Sequence, residues 1–335
     1  MKEFRNTNKM DLNLIVFFAM ILLLIAIGLT KLNYLKYVMM YFISFALYSS
    51  SWDLLYSFSG QLSLGHAIPF GVGAFAIALL ASDFNFSPIF ALVLASLVAA
   101  IVGGVIGTTT IRLRPAYQGI AMLLFSQVLY WFSLIKYGDE GISFGFYKGA
   151  QIVTTAQVYI VGLFVFVIGI GSIYYIENSK HRLKLIATKD DQIAAEAAGL
   201  HVSKYKIAIF FLSSFFAGLA GAFFALYSLH TDYTIFMVSN SFLPIGMSII
   251  GGSGGVGGAI LGSLIISLLN EIIPVYFSLA TAYIIYGIMV IVILRFLPTG
   301  IIGILSKTII SVKNELIVDS KLVNGKKLNS SRFKK

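Results

Sequence analysis

Polar residues interrupt an apolar run at residues 59–75, SGQLSLGHAIPFGVGAF. The side chains that could contact a polar solute or line a water-filled path are Gln61, Ser63 and His66. The glycines that weaken a helix here are Gly65, Gly71 and Gly73. An interrupted helix at membrane depth is tolerated only where protein or water surrounds it. The segment is therefore a candidate pathway lining, and the open alternative is that its glycines only allow close helix packing.

A second polar pattern lies at residues 112–131, RLRPAYQGIAMLLFSQVLYW. Pro115 is placed to start a helix, and Ser126 and Gln127 put polar groups near its middle. Such groups should face the interior of a helix bundle. They are candidates for the pathway or for hydrogen bonds between helices.

A third pattern is the glycine-rich run at residues 251–262, GGSGGVGGAILG. A phosphate-binding loop would need a lysine followed by Ser or Thr, and this run has no lysine. Gly254, Gly258 and Gly262 are spaced four apart, which predicts a smooth face for close helix packing or a flexible gate.

Signatures of catalysis are missing from the sequence. There is no metalloprotease or serine-hydrolase motif, no cysteine, and the four histidines are isolated. Asp53 and Glu271 are expected near the ends of spans rather than at mid-membrane. We therefore expect a non-enzymatic chain with no catalytic residue, metal site or cofactor.

Composition predicts an all-α integral membrane protein, because 58% of the residues are hydrophobic and only 11% are charged. The formal net charge of +10 does not indicate nucleic-acid binding, since the basic residues cluster in loops beside apolar runs. The expected surroundings are membrane lipid.

Apolar runs predict a bundle of about ten transmembrane helices with broken or re-entrant segments. The predicted spans are 12–30, 34–51, 61–81, 88–108, 116–135, 154–176, 206–229, 238–251, 258–273 and 281–297. The pair 238–251 and 258–273 is short, so one member could be re-entrant. We expect a transmembrane domain over residues 1–311 and a disordered cytoplasmic tail over 312–335.

Ten crossings place both termini on one side of the membrane. With that side cytoplasmic, all but four of the 24 Lys and Arg residues lie there, as the positive-inside rule requires. The four exceptions are Lys31, Lys36, Lys136 and Lys148.

The longest charged interruption before the tail is residues 177–206, which we call the polar island. We expect a short helix in it, capped by Thr188 and stopped by Gly199, with Asp190 and Asp191 at its positive end. Its small, smooth face suits docking to another protein. The candidate docking residues are Asp190, Asp191, Ile193, Ala194, Glu196, Ala197, Ala198 and Gly199.

Taken together, these segments resemble the permease subunits of branched-chain amino acid ATP-binding-cassette (ABC) transporters, and the LivM-type subunit among them. The resemblance lies in the SLGHA segment, the RLRPAYQG segment, the polar island with its exit helix, GGSGGVGGAILGSLI and RFLPTGIIGIL. These segments follow the family's order over most of residues 50–305. The chain departs from the family pattern at residues 114–115 and 138–141, which leaves the substrate open.

The resemblance implies an importer in a bacterial or archaeal cell (inner) membrane. Two permease subunits, different in sequence by family analogy, would form the path. Two ATPase subunits would bind beneath them, and an extracytoplasmic binding protein would deliver the substrate. The island would then be the coupling helix that docks on an ATPase.

Other functions remain open from the residues alone. Related permeases carry urea, short amides or nucleosides instead of Leu, Ile and Val. A self-sufficient channel or secondary transporter would need no ATPase, and a membrane-embedded enzyme would need a catalytic constellation.

Overall fold

The computed structural model describes residues 2–84, 86–144, 154–276, 281, 284, 285, 287, 288, 291, 292, 295, 299–306 and 308. Most of the predicted span 281–297 and all of the predicted tail 312–335 lie outside these residues. The statements below concern the described part of the chain.

Helices dominate the described residues, with one short β pair between them. The α-helices are α1 Lys2–Gly28, α2 Asn33–Ser59, α3 Ala67–Ser82, α4 Pro88–Thr110, α5 Pro115–Tyr137, α6 Thr155–Glu177, α7 His181–Asp190, α8 Gln192–Ala197, α9 Val202–Ser228, α10 Val238–Gly251 and α11 Val256–Tyr276. The strands β1 Ile142–Ser143 and β2 His230–Thr231 pair antiparallel, and a 3₁₀ helix covers Tyr233–Phe236.

Five of these helices are long and apolar enough to cross a membrane within the described residues: α4, α5, α6, α9 and the Val256–Ile273 part of α11. Shorter apolar helices cover Leu12–Gly28, Ala67–Ser82 and Val238–Gly251. The described residues therefore confirm the prediction of an all-α membrane protein, with five helices of membrane-spanning length.

Helix α2 lies at the centre of the bundle, although it is not among the apolar spans. It packs against α6, α9, α10 and α11. Its buried residues include Ser49, Ser50, Ser51 and Asp53, each with no exposed surface. Such polar groups are tolerated at membrane depth because protein surrounds them on every side.

Hydroxyl groups join α2 to its neighbours by hydrogen bonds to backbone carbonyls. The Ser44 hydroxyl donates to the carbonyl of Ala220 at 2.9 Å, and the Ser213 hydroxyl donates to that of Ser51 at 2.8 Å. Pro244 has no amide hydrogen, so the carbonyl of Asn240 lacks its usual helical donor. The Tyr48 hydroxyl donates to that carbonyl at 3.1 Å.

The predicted span 61–81 is broken, because its helix starts only at Ala67. Gly60 ends α2 in the left-handed conformation at φ +69°, and residues 61–66 form no regular helix. These residues remain within the protein: Gln61 and Ser63 are buried. The sequence-based prediction of an interrupted helix in this segment is confirmed.

Helices α3 and α9 approach each other closely because glycines face their backbones. A Cβ atom at Gly73 would collide with the carbonyl of Gly218, and one at Gly221 would collide with the carbonyl of Phe70. Backbone atoms cannot move aside as a flexible side chain can. This contact therefore depends on the absence of side chains.

We predict that Gly221→Ala destabilises the protein by about 1–3 kcal/mol, the usual cost of overpacking a close contact. Gly171→Ala in α6 is the matched control, since its Cβ would lie 3.8 Å from the Phe17 ring. Alanine is also the better helix former. Thermal unfolding of both variants in detergent tests this, and equal transition temperatures would contradict it.

Candidate functional site

The polar island folds into two short helices between the membrane-length helices α6 and α9. Helix α7 packs against α2, and its Leu185 side chain is buried. Lys189 donates from Nζ to the carbonyl of Ser57 at 2.9 Å, and its ammonium lies 5.5 Å from the centre of the Tyr56 ring. The island is therefore attached to the central helix.

The start of α8 differs from the prediction. Thr188 is not its cap: it lies inside α7, where its hydroxyl donates to the carbonyl of Leu185 at 2.7 Å. Asp191 is the cap, and its carboxylate accepts from the Ala194 amide at 3.0 Å. Because residues 181–190 form a helix of their own, Asp190 ends α7 instead of lying at the positive end of α8.

Gly199 stops the helical segment that contains α8, as the sequence predicted. It adopts φ +85°, which disfavours residues with a Cβ, and the amide of Leu200 donates to the carbonyl of Ala195 at 3.0 Å. The chain then turns into α9. Lys206 of α9 donates from Nζ to Oε1 of Gln192 at 2.9 Å, so α8 is held against α9 by a side chain as well.

All eight candidate docking residues lie on the exposed surface of the island. Ile193 is the most conspicuous, since it is an apolar residue with 81% relative exposure. Ala195, which is absent from the candidate set, is buried and anchors α8 to the protein. The arrangement presents an apolar side chain on a short, well-capped helix outside the membrane-length helices.

Polar contacts along α5 form a packed polar layer that includes two of the predicted pathway residues, Gln61 and Ser126. Gln61 donates from Nε2 to the carbonyl of Lys206 at 3.1 Å, and Gln118 donates to Oε1 of Gln61 at 3.4 Å. Further along α5, the Ser126 hydroxyl donates to the carbonyl of Phe236 at 2.9 Å. Half-buried Gln127 has an amide nitrogen with no hydrogen-bond partner.

His66 and Ser63 lie beside α2. The Ser51 hydroxyl donates to the carbonyl of Tyr48 at 2.7 Å, so its 2.9 Å contact with Nε2 of His66 is best satisfied by a protonated Nε2 that donates to Ser51. The Ser63 carbonyl accepts from the Trp52 indole at 2.9 Å, whereas its buried hydroxyl has no partner.

Five of the six glycines singled out in the sequence lie at close contacts. At Gly65, Gly73, Gly258 and Gly262 an added Cβ would collide with a backbone carbonyl, that of Met122, Gly218, Gly252 and Met247 respectively. At Gly71 it would collide with the Phe236 ring. Gly254 is different. It lies in the loop before α11 at φ +99°, with open space around its Cβ position, so it does not extend the face of Gly258 and Gly262.

The backbone amide of Gly254 binds the carboxylate of Asp53. This carboxylate accepts from the amides of Gly254 and Gly255, both at 3.0 Å, and from the hydroxyls of Ser57 at 2.7 Å and Ser248 at 2.8 Å. Asp53 lies inside α2, which continues to Ser59, and it is completely buried.

Glu177 joins the same loop from α6. Its Oε2 accepts from the amide of Val256 at 3.2 Å, and its Oε1 is buried without a partner. Two carboxylates therefore bind amides at the start of α11, where the helix dipole favours negative charge. We call Asp53, Glu177 and the loop 252–255 the carboxylate clasp. Sequence analysis missed it, although an acid in the serine-rich run 49–53 was a usable signal.

Among the described residues, no group of three or more His, Asp or Glu side chains is placed to hold a metal ion. The fold and these sites are those of a multi-pass membrane protein. It has buried polar groups inside its bundle and a structured polar segment, the island, at one end.

The family model described as "Branched-chain amino acid transport system / permease component" matches residues 34–294, so the chain belongs to this family. It is similar to the high-affinity branched-chain amino acid transport system permease proteins LivM of Salmonella typhimurium, at 26% identity, and Escherichia coli, at 25% identity, each over 251 residues. The matches cover 66% of this chain and 59% of those relatives.

A probable branched-chain amino acid transport permease protein LivM of Methanocaldococcus jannaschii is 22% identical over 233 residues, which are 64% of this chain and 68% of that relative. No solved structure matches the chain significantly.

We predict that Asp53→Asn loosens the carboxylate clasp. An amide in place of the carboxylate points a donor at backbone amides, and each buried amide left without an acceptor costs about 1–3 kcal/mol. The expected result is a lower thermal transition in detergent. Asp83→Asn is the control, since Asp83 is exposed and accepts from its neighbour Ser82. Equal transitions for the two variants would contradict the clasp.

Proposed function

We propose that this chain is the permease subunit of an ABC importer for branched-chain or related amino acids. The observation that carries the proposal is the polar island, a well-capped and exposed pair of short helices between two membrane-length helices of a chain in this family. A short helix with an exposed apolar side chain suits docking to another protein. Permease relatives support the substrate class.

In this arrangement residues 1–311 form the permease domain, with about ten crossings and both termini in the cytoplasm. The membrane is that of a bacterial or archaeal cell. The island faces two ATPase subunits, a second permease subunit completes the path, and a binding protein delivers substrate from outside. ATP hydrolysis takes place in the ATPase subunits.

The island docks on an ATPase through Ile193 and its exposed neighbours. Movement of α8 passes directly to α9 through Lys206 and to α2 through α7 and Lys189. The carbonyl of Lys206 also accepts from Gln61. A shift of the island therefore reaches the interrupted segment 61–66, where access to the path is switched.

Energy from ATP can act on this equilibrium only when the ATPase binds the two conformations with different affinities. The docking contacts must therefore change between the two states. The polar layer is packed in the present conformation, so the path opens by separating Gln61, Ser63, His66, Ser126 and Gln127 from their neighbours or by using them at the boundary between two permease subunits.

The first experiment identifies the partner at the island. The chain has no cysteine, so Ile193→Cys gives one reactive thiol on the exposed face of α8. A cysteine-to-amine cross-linker applied to native membranes should join it to an ATPase subunit, identified by mass spectrometry. Asp139→Cys, exposed at the other end of the bundle, should give no such product.

A chain that yields no ATPase in this experiment and still moves solute in liposomes would be a self-sufficient transporter, and the importer proposal would be wrong.

The second experiment tests coupling. Glu196→Lys reverses an exposed charge on α8, and Gly199→Val forces a branched side chain into a left-handed backbone. Both should lower substrate-stimulated ATPase activity of the reconstituted complex by about tenfold, within the range for mutations along a coupling route. Glu140→Lys, exposed at the opposite end, should leave it unchanged. Normal stimulation in both island variants would refute the docking assignment.

A further inference from the structure

An apolar groove of about 520 Å³ opens where the polar island meets the membrane-length helices. We call it the interfacial groove. Its lining residues come from the end of α6, the start of α7 and the first turns of α9, and include Tyr175, Leu185, Lys204, Tyr205, Ala208 and Leu212. The groove is separate from the polar layer along α5 and from the exposed face of α8 around Ile193.

The groove runs along the first turns of α9. From Lys204 to Leu212 the helix rises about 12 Å, at 1.5 Å per residue. The inner wall is made of Ala208, Ile209 and Leu212, faced by Ile176 of α6. A soluble metabolite would find almost no hydrogen-bonding group there. A hydrocarbon chain that lies along α9 would find a matching wall.

The outer rim is basic. It contains Lys204, His181 and His201, and no carboxylate lines the groove. The ammonium of Lys184 lies 5.6 Å from the centre of the Tyr205 ring, at the same rim. Within the described residues neither Lys184 nor Lys204 has a carboxylate within 4 Å. Glu196 lines an adjoining pocket with His201 and Lys204 but forms no direct ion pair with Lys204, so the rim still offers positive charge to an anion.

The position of the groove selects the source of that anion. Helix α6 ends and α9 begins here, so the rim lies where membrane-spanning segments leave the hydrocarbon region and lipid headgroups are found. By the positive-inside distribution this is the cytoplasmic leaflet. Basic pockets beside transmembrane helices on that side attract anionic lipid headgroups.

We propose that the interfacial groove binds an anionic glycerophospholipid, with its phosphate at Lys204 and Lys184 and one acyl chain along Ala208, Ile209 and Leu212. The bound lipid contacts α6, α7 and α9 together. It therefore fixes the angle at which the island leaves the membrane. The inference rests on the groove itself and holds whether or not an ATPase binds at α8.

The experiment titrates the purified full chain in detergent with phosphatidylglycerol or phosphatidylcholine of identical acyl chains and counts bound lipid by native mass spectrometry. We expect the wild type to prefer phosphatidylglycerol. Lys204→Gln should weaken its binding about fivefold, the equivalent of about 1 kcal/mol for one basic side chain at a membrane surface. Lys204→Arg should keep the preference.

Two further variants distinguish the contact with the lipid acyl chain from the attraction between charges. Ala208 is exposed within the groove, so Ala208→Trp fills it without disturbing the core and should reduce binding of both lipids. Ile160→Trp, on an exposed face of α6 outside the groove, is its control, and Lys136→Gln is the control for charge. Equal binding of the two lipids by the wild type, or full binding by both Lys204→Gln and Ala208→Trp, would overturn the proposal.

Discussion

A carboxylate inside a membrane protein is stable only when the protein itself solvates it, and the rest of this bundle is arranged around that requirement at Asp53. Hydroxyls of Ser57 and Ser248 and the amides of Gly254 and Gly255 surround its carboxylate. These donors come from α2, α10 and the loop before α11. Burial of one acidic side chain therefore fixes the central helix against the α10–α11 pair.

The same helix α2 connects the carboxylate clasp to the polar island. Asp53 lies one turn before Ser57, whose hydroxyl donates to Asp53 and whose carbonyl accepts from Lys189 of α7. Gly60 then turns the chain into the interrupted segment that contacts α9 through Gln61. A polar axis thus runs from the glycine loop through α2 to the surface proposed to bind an ATPase, and the groove proposed to bind lipid lies beside that surface.

Sequence reasoning reached the candidate site unevenly, for reasons that individual residues make clear. Local signals sufficed for Gly199, because a helix stop in the left-handed conformation is a property of a few adjacent residues. They misled at Thr188, since two residues of the same run could cap a helix. In the structure α7 buries Leu185 and continues past Thr188 to Asp190. Gly254 matched a four-residue spacing with Gly258 and Gly262, yet its backbone conformation follows from hydrogen bonds to Asp53, distant in sequence.

Taken alone, the sequence determined that the chain is a helical membrane protein, that the helix near residue 61 is broken, and which family it belongs to. These properties depend on hydropathy, glycine and proline placement, and short motifs, all of which act over a few residues. Only the tertiary structure decided which polar groups meet: Asp53 with the glycine loop, Gln61 with Lys206, and the basic rim with an apolar wall. Hydrogen-bond partners and grooves are formed by segments far apart in the chain, and no local pattern encodes their distance.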